Sequence, residues 1–166
     1  ETTLKTGTRL DHASYEALAN DAGVDAIYIS TPHPFHKANS ILCLNAGKAV
    51  LCEKPFTINT GEAEDVIAVA REKQLFLMEA MWTRFLPAIA EVKRRVEAGD
   101  IGDIKFMQGS FCYADARRGH EPYPSLAQSM LYDRGVYLIA LAQHLHAGNV
   151  VQANTRCMQW DASALC

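Results

Sequence analysis

The chain has 166 residues, 49% of them hydrophobic, and its 16 Lys and Arg against 19 Asp and Glu give a formal net charge of −3. That is enough apolar material for one globular domain or two small ones, and it excludes a disordered chain, which needs low hydrophobicity and high net charge. No basic run exceeds Lys93-Arg94-Arg95 and no apolar stretch approaches the roughly 20 residues of a membrane helix, so neither a nucleic acid nor a membrane is expected as a partner.

The chain opens on Glu1-Thr2-Thr3, without Met and without the basic start of a signal peptide, and so reads as a piece of something longer. Thr8-Arg9-Leu10 suits a remnant of a strand, and Tyr15 to Ala22 a short helix. Val24 to Ser30 is a β-rich run, and the prolines of Thr31-Pro32-His33-Pro34 are expected to stop it and to forbid an immediate helix. A helix is predicted from Phe35 to about Ala46, on Ala38, Ile41, Leu42 and Leu44, with Gly47 at its end. Ala49 to Cys52 is a second strand. The next helix runs from about Thr60 to Lys73, led by a capping-box pattern of Asn59 and Glu62. Leu75 to Met78 is a third strand.

Strands that alternate with single helices predict a parallel sheet, and the unalternating apolar strands predict cover on both of its faces. The second half reads differently. Leu86 to Ala98 is helical, with Pro87 in the first turn and Gly99 beyond the end. Ile104 to Tyr113 is a long strand candidate, Arg117 to Pro124 a loop, Ser125 to Ala147 mostly helix, and Val150 to Trp160 a last strand candidate. A second domain is expected to begin near Glu79, dividing the chain into residues 1–79 and 80–166.

Cys43, Cys52, Cys112, Cys157 and Cys166 contain no C-x-x-C pair, which argues against a disulfide framework or zinc ribbon and for reduced thiols in the cytoplasm.

Glu53-Lys54-Pro55 directly follows a buried strand. Ligands of open parallel sheets sit beyond the carboxyl ends of the strands, so this is where a functional Lys would stand; a surface ion pair is the plainer alternative. Thr31-Pro32-His33-Pro34-Phe35-His36 lies at the same edge. His33 and His36 lack a third ligand at usable spacing, so no metal is expected, and the loop suits contact with a cofactor or substrate, or a solvated turn. His144 and His146, near a helix end, read as C-terminal cations or as solvent-facing groups. Asp133 and Tyr137 are four apart in a predicted helix and share a face, fit for proton transfer or for a half-buried hydroxyl finding an acceptor. Trp82 and Phe85 bracket Arg84, an arrangement suited to a planar ring and an anionic group, or to core packing. Neither G-x-G-x-x-G nor G-x-x-x-x-G-K-[ST] occurs, so the chain lacks a phosphate-cradling loop.

Val24 to Pro32 through His36, then Ala46-Gly47-Lys48, then Cys52-Glu53-Lys54-Pro55, in this order, resemble the central signature of the Gfo/Idh/MocA family of NAD(P)-dependent oxidoreductases. Glu79 to Phe85 and Asp133 to Tyr137 are most similar to its branch of dimeric dihydrodiol dehydrogenases and NADP-dependent D-xylose dehydrogenases. The resemblance implies an α/β fold: the later half of a doubly wound, parallel-sheet Rossmann-like domain, then part of an α/β domain with an open sheet. The family's first strand and Gly-rich turn would precede Glu1, and more of the second sheet would follow Cys166.

The resemblance further implies hydride transfer from a secondary hydroxyl of a sugar or dihydrodiol to NADP or NAD. Lys54 and Tyr137 would serve as the proton acceptor and its cationic partner, with the choice of base left open, and Asp133 would orient them. A free Tyr titrates near ~10, so work by its phenolate calls for a nearby cation. Ser30, Thr31, Pro32, His36, Glu53, Lys54, Trp82 and Arg84 would approach the cofactor. Trp82, Phe111, Asp133 and Tyr137 would line the substrate site. The Lys54–Pro55 bond would be cis, and the full-length protein a homodimer. A non-catalytic binding or regulatory remnant of the fold is the alternative, and this chain alone is expected to turn over little.

Overall fold

The computed structural model describes residues 11–111 and 131–146. Three strands, β1 (Ala26–Ile29), β2 (Ala49–Cys52) and β3 (Leu77–Glu79), form a parallel sheet in the order β1-β2-β3. Ala26 pairs with Ala49 and Ile29 with Cys52 on one side of the central strand, and Val50 pairs with Leu77 and Cys52 with Glu79 on the other. The short helix α1 (Tyr15–Ala19) precedes β1, α2 (His36–Asn45) links β1 to β2, and α3 (Thr60–Lys73) links β2 to β3. The predicted alternation is therefore realised, with strand and helix ends moved by a few residues. The expected remnant at Thr8-Arg9-Leu10, the loop from Arg117 to Pro124 and the strand from Val150 to Trp160 lie outside the described residues.

Local chemistry explains the element boundaries. Asn59 sits in extended backbone, and its side chain accepts the Glu62 N–H at 2.9 Å, which starts α3. Glu62 completes a variant of the capping box, accepting the Ile58 N–H at 3.2 Å rather than that of Asn59. Asn59→Ala is expected to cost the full-length protein about 1 kcal/mol, read by chemical denaturation; an unchanged midpoint would mean that the Glu62 arm alone suffices. Gly47, at φ 79°, closes the turn after α2, a left-handed conformation that glycine adopts without steric cost. Lys48 follows, its ammonium donating to Asp21 O at 2.7 Å and Val24 O at 2.6 Å, which pins the turn that leads into β1.

The core gathers Ala19, Ile27, Ile29, Cys43, Leu44, Val50, Cys52, Val66 and Ala70. Two expectations change here. Burial alternates along β1 and β2: Ile27, Ile29, Val50 and Cys52 are buried, whereas Tyr28 is 55% exposed. Among the described residues α2 and α3 cover one face of the sheet, so the strands are not buried equally on both sides. The buried stripe of α2 is His36, Ser40, Cys43 and Leu44, while Ala38 is exposed and Ile41 and Leu42 flank the stripe. The spacing is helical, but two of its four members are polar.

The loop after β1 also departs from expectation. A 3-10 turn (His33–Phe35) forms at once and runs straight into α2. Pro34 occupies a first-turn position, where a missing N–H costs nothing, so proline admits a helical start here. After β3, a second 3-10 turn (Trp82–Phe85) leads to α4 (Pro87–Glu97), which ends before Gly99 at φ 79°. From Ile104 to Phe111, the described part of the long strand candidate, the backbone is irregular and Phe106 is 80% exposed. A strand needs a hydrogen-bonded neighbour, and none of the described elements supplies one. Leu131–Gly135 is a π-helical turn that opens α5 (Val136–Leu145), the described part of the long helix expected from Ser125.

Candidate active site

Because β1, β2 and β3 are parallel, their carboxyl ends open onto one edge of the sheet. Ser30-Thr31-Pro32, Glu53-Lys54-Pro55 and Ala80-Met81-Trp82 leave the sheet there. The π turn and α5 bring a second set of side chains to the same edge. Lys54 is where the two sets meet.

The Lys54 ammonium donates to Asp133 Oδ1 at 2.6 Å and to the Asp133 backbone carbonyl at 2.8 Å. Its side chain is only 10% exposed, and that of Asp133 27%. Nζ also stands 4.9 Å from the centroid of the Tyr137 ring, on its face. Burial pushes the Asp133 carboxyl up, but the hydrogen bond and charge of Lys54, with the charges of Arg134 and His33, outweigh it and hold the group below its ordinary value. Asp133 therefore stays ionised and fixes the ammonium between itself and the phenol.

Tyr137 is held by aromatic neighbours. Phe111 stacks on it at 5.3 Å with an interplanar angle of 12°, and Trp82 meets it edge-on at 6.2 Å. The Trp82 indole N–H donates to Tyr137 Oη at 3.1 Å. Arg134 lies 5.6 Å from the Phe111 ring and 3.3 Å from Asp133 Oδ2. Asp133 belongs to the π turn and Tyr137 to the first turn of α5, so their common facing does not come from a regular α-helical spacing. Trp82 and Phe111 are about half exposed, leaving this aromatic wall open to solvent beside Lys54.

Glu53 is fixed from two sides: its carboxylate accepts the Tyr28 hydroxyl and, at 3.0 Å, the Lys54 N–H. The hydrogen bond to Glu53, with burial second, pushes the Tyr28 phenol up to about 12. Ser30 and Pro32 are exposed, and Thr31 is half-buried with Oγ1 accepting from Asn39 at 3.2 Å. Beside them, along β1, runs a cleft of about 440 Å³ whose lining includes Tyr15, Tyr28, Ser30, Thr31, Pro32 and Asn39.

The structure thus brings Lys54, Asp133, Tyr137, Trp82 and Phe111 into one cluster, with Glu53 attached and Ser30, Thr31 and Pro32 along the neighbouring loop. Two candidates stand elsewhere. His36 is fully buried behind the loops, with both ring nitrogens on backbone carbonyls, and offers no surface to a ligand. Arg84 is exposed on its turn, where its charge acts on His144. In the last turn of α5, burial first, then the charges of Lys93 and Arg84, push His144 below its ordinary value. Among the described residues no three His, Cys, Asp or Glu side chains gather to hold a metal ion.

Three contributors escaped the sequence reading. Tyr28 sits inside an apolar strand run; Tyr132 donates its hydroxyl to Ile58 O at 2.7 Å and ties the π turn to the loop after β2; Glu79 accepts the Phe56 N–H at 3.0 Å. Only Glu79 carried a usable signal, an acidic residue at the carboxyl end of a buried strand.

The described helices are all too short or too polar to cross a membrane. Residues 4–81 match the GFO/IDH/MocA oxidoreductase family's NAD-binding Rossmann fold, and residues 89–163 match the family's C-terminal domain. A trans-1,2-dihydrobenzene-1,2-diol dehydrogenase of Sus scrofa is 41% identical over 137 residues, 82% of this chain and 41% of the relative. The Bos taurus enzyme of the same name is 48% identical over 100 residues, 60% of this chain and 30% of its own length. The chain therefore spans about two fifths or less of these relatives. A putative oxidoreductase from Klebsiella pneumoniae superposes with a TM-score of 0.66 at 32% identity, over 80% of this chain and 36% of that one. A 3-ketoreductase from Actinomadura kijaniata, solved with TDP-benzene and NADP, gives 0.52 at 39% identity over 55% of this chain and 29% of its own. With both of the family's domains matched in order across most of its length, the chain belongs to the GFO/IDH/MocA family of oxidoreductases.

Proposed function

We propose that the protein to which this chain belongs is an NAD(P)-dependent dehydrogenase that oxidises a secondary hydroxyl of a trans-dihydrodiol or a sugar. The observation that carries this reading is the convergence of Lys54, Asp133 and Tyr137, drawn from both halves of the chain, on the carboxyl edge of a parallel sheet. So complete a cluster favours an enzyme over a binding remnant of the fold.

Ser30, Thr31 and Pro32, with the cleft along β1, fit the nicotinamide half of a dinucleotide, whose pyrophosphate asks for a Gly-rich turn that this sequence does not contain. When bound, NAD(P) supplies the hydride acceptor. The protein's own task is the proton. As the substrate hydroxyl becomes a carbonyl, its proton is taken up by the phenolate oxygen of Tyr137, which faces the indole N–H of Trp82 and whose ring lies against the Lys54 ammonium. Lys54 has two of its three protons committed to Asp133, so it acts as the fixed cation, and its third is free for the substrate oxygen. Glu53 orients the Lys54 backbone through its N–H, and the Trp82–Tyr137–Phe111 wall suits a flat, partly apolar substrate such as a cyclic diol.

Similarity to the trans-1,2-dihydrobenzene-1,2-diol dehydrogenases supports the diol over an aldose, and the resemblance to that branch of the family implies NADP over NAD, a homodimer, and two domains within each chain that divide near residue 80. Tyr137→Phe in the full-length protein, assayed with trans-1,2-dihydrobenzene-1,2-diol and NADP, is expected to lower kcat by about 10²–10⁴-fold with the fold intact. Turnover at the wild-type rate would remove the phenol from the reaction.

A further inference from the structure

His36 makes two contacts that a neutral imidazole cannot make together. Its Nδ1 lies 2.9 Å from Pro55 O and its Nε2 2.8 Å from Thr31 O, and the ring is fully buried. A neutral ring carries one N–H and one lone pair, whereas a backbone carbonyl only accepts. Either neutral tautomer would aim a lone pair at a carbonyl oxygen at hydrogen-bonding distance. With both nitrogens protonated, each contact becomes a charge-assisted hydrogen bond.

We propose that His36 is a positioning residue held as a doubly protonated imidazolium, whose two N–H groups tie the loop leaving β1 to the loop leaving β2 behind Lys54. Thr31 belongs to the first of these loops and Pro55 to the second, directly beside Lys54. The ring therefore sets the spacing between the cofactor-facing loop and the cation that meets Asp133 and Tyr137. A buried cation needs partners, and this one has two carbonyl dipoles.

Ionisable groups stand on each of the elements next to the ring. His33 meets it edge-on at 5.7 Å. Glu53 and Lys54 precede Pro55, and Glu79 binds the N–H of Phe56 just after it. From α3, Asp65 is engaged by Lys37 at 2.7 Å. A Gln at position 36 would bring an amide oxygen to face one of the carbonyls, and a Phe would release both; neither reproduces two donors on opposite sides of one rigid ring. The positioning role rests on the reading of Lys54 given above, whereas the charge state does not.

Side-chain 1H–15N correlation spectra of the 15N-labelled full-length protein near neutral pH test the charge directly. His36 is assigned through its own backbone, so no variant has to fold. Both of its ring nitrogens are expected to carry directly bonded protons that exchange slowly with water. One ring nitrogen without a bonded proton would overturn the proposal. His36→Gln is expected to lower kcat with the diol and NADP by about 10²-fold, the scale of a misplaced reacting group, with the KM for the diol near that of wild type. An unchanged kcat in a folded variant would overturn the positioning role. If wild-type protein does not oxidise diols at all, the dehydrogenase reading fails while the ring spectrum still decides the charge.

Discussion

Lys54→Met in the full-length protein is expected to reduce turnover of the diol by about 10³-fold or more, the scale on which positioned proton-transfer groups act. Met keeps an apolar stem of similar length and removes the charge together with its N–H donors, so the loss isolates the ammonium group. Two effects add. The Tyr137 phenolate that takes up the substrate's proton loses the cation 4.9 Å from its ring, and Asp133 loses the donor that holds it. A variant that folds and turns over within a few-fold of wild type would remove Lys54 from the chemistry.

The same substitution has a pH signature. Asp133 is held below its ordinary value in the folded state, so the stability it contributes is complete above the unfolded value near ~3.9 and is lost as pH falls through and below it. With Lys54 replaced, the upward push of burial is opposed only by the charges of Arg134 and His33, so the depression diminishes and acid denaturation below about pH 4 becomes less steep. Denaturation midpoints of both proteins across this window measure the difference, and parallel curves would show that the pair does not act on stability.

Leu44→Ala is expected to cost about 2–5 kcal/mol, the range for removing a fully enclosed leucine and leaving a cavity. Leu44 has no exposed surface and stands in the core with Val50 and Val66, where the sheet meets α2 and α3. The loss should appear as a lower denaturant midpoint with an unchanged slope. Since α2 begins at His36, a loosened helix should also weaken cofactor binding. A cost below about 1 kcal/mol would mean that the surrounding side chains close over the gap.

What could be read in advance depended on how local the determinants are. The bounds of β2 and α3 were legible because short-range chemistry writes them: Glu53-Lys54-Pro55 ends a strand, and Asn59 with Glu62 starts a helix. The Lys54–Pro55 bond is cis, as family resemblance implied. Lys54, Asp133 and Tyr137 could be singled out by residue type and by resemblance, but their contacts span 79 residues and more, a separation that no local pattern encodes. Ile104 to Phe111 has the composition of a strand yet no described partner, because composition states a preference and pairing requires a neighbour. The resemblance sets His36 among the cofactor-facing residues, and a histidine at a strand's carboxyl edge suits a ligand contact, a solvated turn or a buried tie equally well. Only the two carbonyls on its nitrogens reveal that it faces inward.

The π turn at Leu131–Gly135 has an evolutionary corollary. Each residue added to or removed from an α-helix rotates everything beyond it by about 100°. Tyr137 follows the widened turn by two positions, so its aim at Lys54 depends on the residue count between 131 and 136. Insertions and deletions in homologous genes should therefore be tolerated elsewhere but purged from these five codons, a length constraint separate from any demand on which amino acids fill them.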